Sequence, residues 1–317
     1  MCYSAQVLSN YDKYVREWGA DISVKQFFEL YFLRNQTAGI KIPKAIDAWF
    51  AHPRSDDERQ IKALIDAYNA SQASKLEQEL FKQRKRLADA ERTLQTRTTK
   101  KALDDRRIAT SKVEQGLARL ADLRRSEPKD RDARIFPQVY APVIVMRNGR
   151  RTVVPMRYQC RPHGKPAFYD VKFPGTYNAR RDNLEGFWKP QFGHDHAILL
   201  VNAFYENVSR HTMEHRELAD GEKEENVVLE FRPKPEQDMV IACLWSHWTQ
   251  GDAMLDSFAA ITDDPPAEVA AAGHDRCIIQ IRPENADSWL QPSGDLAAQY
   301  ALLDDRALPF YEHRKAA

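Results

Sequence analysis

The chain has 317 residues, 43% hydrophobic and 29% charged, enough apolar material for one large domain or two smaller ones. Its 47 Lys and Arg stand against 46 Asp and Glu, a net charge of +1, so any polyanion must be held by a local patch rather than by a global field. No run approaches the roughly 18 apolar residues of a membrane span, so no membrane partner is expected. The start, Met1-Cys2-Tyr3-Ser4-Ala5-Gln6, has no secretory pattern. Four widely spaced cysteines (Cys2, Cys160, Cys243, Cys277) form no C-x-x-C pair. Together these point to a reducing cytoplasm and against a zinc knuckle or a disulfide scaffold.

Taken in order, the chain begins with its most reactive candidate. Loss of Met1 would leave Cys2 as the N-terminal residue, with an α-amine and a thiol on adjacent carbons. The amine titrates near about 7.7–8.0 and the thiol near about 8.5, so both are partly nucleophilic around neutral pH. Such a pair captures an aldehyde: the amine forms an imine and the sulfur closes a five-membered thiazolidine. Residues 11–55 read as short amphipathic helices. Ser23 with Gln26 has the spacing of a capping box, Phe27, Phe28, Leu30, Tyr31 and Phe32 offer a buried face, and Pro43 and Pro53 punctuate the segment.

Residues 56–130 change character. Gly116 is the lone glycine, proline is absent until Pro128, and Ala, Leu, Glu, Lys, Arg and Gln dominate. Leu80, Leu87 and Leu94, then Val113, Leu117, Leu120 and Leu123, recur at heptad-like spacing around a polar stretch rich in threonine. Two long helices folded into an antiparallel coiled-coil hairpin, with the tip at 97–100, account for this. The basic runs at 82–86 and 124–125 fit a solvated helix face or a contact with nucleic acid.

After Pro128 the texture becomes β. Apolar runs at 143–146 and 152–154 flank Asn148-Gly149, the strongest short hairpin signal. Further strands are expected at 197–201, 227–231, 240–245, 258–262 and 277–281, with short helices at 182–188, 266–271 and 283–290. The expectation is an α+β fold, a curled antiparallel sheet or barrel with an inserted helical hairpin. The segments are a β domain formed by 1–10 and 131–300, a short-helix segment 11–55, the hairpin 56–130 and a tail 301–317.

Four stretches of the β region carry chemistry: Tyr177-Asn178-Ala179-Arg180, in a loop leading to a helix; Asn202 to Asn207 at a strand end; Cys243-Leu244-Trp245-Ser246-His247-Trp248; and 258–262, followed by Gly273-His274-Asp275-Arg276. With Cys2 and the upstream Tyr140-Ala141-Pro142, this ordered set resembles the SRAP family (SOS response-associated peptidases), whose members capture abasic sites in single-stranded DNA. The resemblance covers the first few residues and roughly 135–292. It implies that Cys2 is the nucleophile, Asn178 orients its amine and thiol, Glu206 handles the amine proton, and His274 is the general acid on the sugar oxygen. Arg180 and Arg276 would hold phosphates. It also implies self-removal of Met1, AP-lyase activity through the imine, and association with the nucleoid when DNA is bound. No cofactor or metal is implied; His194, Asp195 and His196 read as solvated loop residues without a third ligand.

The chain departs from the family where Tyr3 and Ser4 replace Gly and Arg, where Asn207 replaces a Trp, and where Tyr158-Gln159-Cys160-Arg161-Pro162 replaces a Trp-Gly-Leu-x-Pro segment. The catalytic set is thus complete while part of the DNA-contact set is altered. Cys160, Cys243 and Cys277 read as inert buried thiols, and Trp188, Trp245 and Trp248 as core. Two other functions stay open. One is an N-terminal-nucleophile cysteine peptidase acting on protein. The other is a non-enzymatic interaction protein using the hairpin to bind a protein partner or itself.

Overall fold

The computed structural model describes residues 3–316; Met1, Cys2 and Ala317 lie outside the described residues. The helices are α1 (Tyr11–Arg16), α2 (Val24–Gln36), α3 (Lys44–Asp47), α4 (Asp56–Thr96), α5 (Lys100–Arg124), α6 (Tyr169–Lys172), α7 (Arg210–Met213), α8 (Ala267–Ala271), α9 (Ala286–Leu290) and α10 (Leu296–Asp304). The strands are β1 (Ser4–Val7), β2 (Asp21–Ile22), β3 (Arg134–Ile135), β4 (Tyr140–Arg147), β5 (Arg150–Tyr158), β6 (Asn178–Arg180), β7 (His196–Ser209), β8 (Asn226–Lys234), β9 (Met239–Gln250), β10 (Ala253–Asp263), β11 (Cys277–Ile278) and β12 (Phe310–Lys315).

Five of these strands close on themselves. β4 pairs with β5, β5 with β10, β10 with β9, β9 with β7, and β7 returns to β4, giving a barrel with no free edge among the five. All these contacts are antiparallel except β5–β10. The β4–β5 turn is set by Asn148 and Gly149, with φ of 50° and 72°, the paired positive values a two-residue hairpin requires. Strand β7 is long enough to serve two layers. Its first half builds the barrel wall against β4 and β9, and its second half runs on to pair with β1 and β8.

Outside the barrel the short helices complete one continuous core. Tyr14 packs edge-to-face on Trp49, Phe27 lies tilted against Trp49 and Phe50, and all four share that core with the barrel residues Val143, Leu199 and Ile261. Trp289 of α9 stacks on His196 with centroids 3.9 Å apart and donates its indole N–H to the Ala197 carbonyl at 3.0 Å.

The hairpin is formed by α4 and α5 with a turn at 97–99, and Thr99 caps α5 by accepting from the Ala102 amide. Its seam is tighter than the heptad leucines imply. Ala90, Ala102 and Ala109 are buried, as is Leu80, whereas Leu117 is 43% exposed. A Cβ placed on Gly116 would lie 2.7 Å from Leu80 Cδ2, so the missing side chain lets the helices approach.

Several expectations need correction. Ser23 does not cap α2: its hydroxyl donates to the Gln26 side-chain oxygen at 3.0 Å, because Gln26 is drawn aside by Arg147 and Asp256. Phe32 is 45% exposed, lying off the face that buries Phe27 and Tyr31. Residues 181–183 form a single 3-10 turn where a helix over 182–188 was expected. The segment taken as a tail instead contains the end of α10 and β12, which adds to the edge of β8 from Phe310↔Lys234 to Lys315↔Leu229.

Candidate active site

Three barrel elements bring the chemical residues to one place. Strand β6 lies parallel to β10 with Asn178 opposite Ala260 and Arg180 opposite Thr262, so the stretch expected to be a loop is a strand. The Thr262 hydroxyl donates to Asn178 Oδ1. That bond leaves the Asn178 amide NH2 buried and without a partner among the described residues, a donor held ready in one orientation.

His274 arrives at the same, C-terminal end of β10. Helix α8 ends at Ala271 with Ala272 as its cap; Gly273 follows with a φ of 96°, a left-handed conformation that a glycine adopts freely, and the chain then turns toward β11. His274 Nδ1 lies 2.7 Å from the Arg276 carbonyl, and Nε2 lies 3.2 Å from Glu206 Oε2 on β7. The carbonyl can only accept, so Nδ1 carries a hydrogen and a neutral ring presents a bare Nε2 lone pair to the carboxylate. The two side chains thus lie at ion-pair distance, with the carboxyl facing Nε2. Burial pushes the His274 pKa below its usual value, against the raising effect of the Arg276 carbonyl. Both side chains are nearly or wholly enclosed, 7% and 0% exposed.

The first described residues, Tyr3 and Ser4, lie beside these groups. β1 pairs with β7 in the register Ser4↔Tyr205, one residue from Glu206. Tyr3 packs edge-on against Tyr177, next to Asn178, and against Phe136 at 6.2 and 5.7 Å. Cys2 itself lies outside the described residues.

Arg180 and Arg276 converge, though on a carboxylate. Arg180 is 2.6 Å from Asp182 Oδ2 and half exposed; Arg276 approaches the same oxygen at 3.8 Å. The Arg180 bond holds the Asp182 carboxyl below its usual range. A phosphate reaching these arginines would compete with Asp182, a residue the motif comparison passed over.

Arg134 was also missed. It donates to Ser4 Oγ through Nε and Nη2 at 3.0 and 2.9 Å and lies 3.7 Å over the Tyr205 ring. It lies outside every quoted motif and becomes visible only once β3 pairs with β1. Asn207, by contrast, is exposed at the surface.

Other candidates have structural roles. His196 is buried, not solvated: Nε2 accepts from the Gly193 amide, Nδ1 meets the Trp289 carbonyl, and burial lowers its pKa to about 3. Cys160, Cys243 and Cys277 are buried, and burial raises all three thiols, Cys160 to about 12. Trp188 and Trp248 are core residues, and Trp245 is partly buried. Asp170 receives Arg157 and Arg161 beside the segment 158–162 and replaces no part of the site. Among the described residues no His, Cys, Asp or Glu cluster could hold a metal, and no helix is long and apolar enough to cross a membrane.

Comparison with known proteins gives a family. The family described as SOS response associated peptidase (SRAP) matches residues 95–313. Among solved structures, a Bordetella bronchiseptica protein is 16% identical, with TM-score 0.47, 58% of this chain and 87% of that chain covered. A Bacteroides thetaiotaomicron protein is 15% identical, with TM-score 0.45, covering 58% and 78%. A phage-related protein from Bordetella bronchiseptica is 19% identical, with TM-score 0.44, covering 58% and 81%. No curated protein matches the chain.

Proposed function

The chain belongs to the SOS response associated peptidase (SRAP) family, and from that premise we propose that it captures abasic sites in single-stranded DNA as a covalent thiazolidine at Cys2. The observation that carries this reading is the enclosed set beside the first described residues: the Asn178 NH2 oriented by Thr262, and His274 and Glu206 buried 3.2 Å apart. An aminothiol at position 2 needs both features.

In this scheme the closed sugar opens first, with His274 Nε2 giving its proton to the ring oxygen as the anomeric hydroxyl passes its own to water. The Cys2 amine then adds to the aldehyde, and Glu206 takes the surplus amine proton. Loss of water leaves an imine, and addition of the thiol across the C=N bond closes the thiazolidine, so aldehyde and aminothiol give ring plus one water. Asn178 donates to the reacting sulfur or oxygen and fixes its position. β-Elimination from the imine, before sulfur adds, is the route to AP-lyase activity. Release of Met1 is the family's peptidase step: the Cys2 thiol attacks the Met1 carbonyl, and water completes the hydrolysis of the Met1–Cys2 amide. Arg180 and Arg276 bind backbone phosphate in place of Asp182. No cofactor enters any step.

The test is a denaturing gel of purified protein incubated with single-stranded DNA bearing one abasic site, with N-terminal mass spectrometry alongside. A DNA-linked band from the wild type and none from Cys2→Ala is expected, on a chain lacking Met1. A wild type without adduct, or an equal adduct from Cys2→Ala, overturns the reading.

A further inference from the structure

Charge is unevenly placed along this chain. Residues 82–107, the outer part of the hairpin, hold ten Lys and Arg against four Asp and Glu, although the whole chain nets +1. The remainder is therefore net acidic, and the hairpin end is its basic pole. Beyond Leu76, which lines the cavity at the hairpin base, α4 continues for some 30 Å to its end at Thr96.

A cleft of about 530 Å³ lies between the two helices there, and its charges are sorted. Its carboxylates are already neutralised: Asp105 by Arg86 at 3.0 Å and Asp89 by Arg92 at 3.1 Å. Its other cations, Lys82, Lys85, Arg97 and Lys101, enter no ion pair among the described residues. Lys100 and Lys101 also open α5, whose first turn has no acidic residue. Cations at a helix N-terminus oppose the helix dipole, at about 0.3–1 kcal/mol each. Stability alone would select carboxylates there, as it does at the start of α4 with Asp56, Asp57 and Glu58.

We infer that the hairpin end is a DNA-backbone contact, a second nucleic-acid site apart from the one at Cys2. It reads phosphate charge and no base sequence. Duplex DNA carries one charge per about 1.7 Å of axis, so a cationic cleft some 20 Å long faces about a dozen phosphates. The inference stands on charge and geometry of the hairpin and needs none of the chemistry proposed for Cys2.

The experiment measures anisotropy of a labelled, undamaged 40-base-pair duplex against salt concentration. It compares the wild type with a variant carrying Lys82→Gln, Lys85→Gln, Arg97→Gln and Lys101→Gln. Each lost phosphate contact removes about 0.9 from the slope of log K against log salt. The slope should fall by about 3–4, and affinity at low salt at least tenfold, with the melting temperature unchanged. Replacing Lys82, Lys85 and Lys101 by Arg should retain the wild-type slope. Parallel salt plots for the wild type and the Gln variant overturn the inference, as does a wild type that ignores the duplex. Cys2→Ala should keep the hairpin-dependent binding, and the Gln variant should still form adduct on a short abasic oligonucleotide, so the two proposals fail separately.

Discussion

Glu206→Gln separates the proposed chemistry from the fold. Glu206 is wholly buried, its carboxyl 3.2 Å from His274 Nε2, and His274 Nδ1–H is committed to the Arg276 carbonyl. A glutamine amide fills the same volume and can donate to the neutral Nε2, so the contact survives while the exchangeable proton does not. Removing a buried charge in this way leaves the melting temperature within a few degrees of wild type. Loss of a positioned acid–base group typically costs 10²–10⁴ in rate. The rate of adduct formation, followed by quenched gel time points, should fall by about that factor. Glu206→Ala behaves differently, because it removes the partner and leaves a void. Removing a buried polar partner costs about 1–3 kcal/mol, and each kcal/mol lowers the melting temperature by about 2–4 °C. Adduct formation by Glu206→Gln within threefold of wild type would refute the proton role assigned to the pair. An equal loss of melting temperature in the Gln and Ala variants would refute the argument that the contact is preserved.

Thr262→Val removes the hydroxyl that orients the Asn178 amide at little change in volume; adduct formation should slow at least tenfold and approach that of Asn178→Ala, measured side by side on the same gel. His196 is held neutral by burial, its pKa lowered from 6.5 to about 3. The unfolded chain therefore binds a proton that the folded one excludes between those values, so this stability is complete above about pH 6.5 and lost as pH falls toward 3. The shift corresponds to roughly 5 kcal/mol, and His196→Phe should flatten the urea-unfolding free energy over that window. Asp170 works at lower pH. Burial opposes its ionisation, but the Arg161 and Arg157 bonds bring its pKa below the carboxylate range. Its contribution is present above about pH 3.9 and fades as pH falls through the lower folded value. Asp170→Asn strands two arginines and should cost about 3–5 kcal/mol at pH 7 by chemical unfolding.

Parts of this molecule were legible because they follow from local rules. The Asn148-Gly149 turn places β4 beside β5 by backbone geometry alone, and the helix-rich composition of 56–130 allows little besides a long hairpin. Motif order names Asn178, Glu206 and His274 as candidates, but no spacing predicts that the last two, 68 residues apart, meet at 3.2 Å. What stayed hidden depends on register. Whether Asn178 sits in a loop or a strand is decided by β10, a neighbour 82 positions downstream, and only that pairing gives Thr262 its hold on the amide. His196 looked like a solvated loop residue because its partners, Gly193 and Trp289, act through backbone groups that no side-chain pattern records. Arg134 and Asp182 were invisible for a further reason: a guanidinium or carboxylate near a reactive site has no signature until its neighbours are placed. That matters most for DNA binding, because both arginines expected to hold phosphate already share Asp182. Their gain on binding DNA is thus the difference between a phosphate and a carboxylate partner, smaller than the motif alone implies. The hairpin-end cations, which enter no ion pair among the described residues, are the source of backbone affinity proposed in their place.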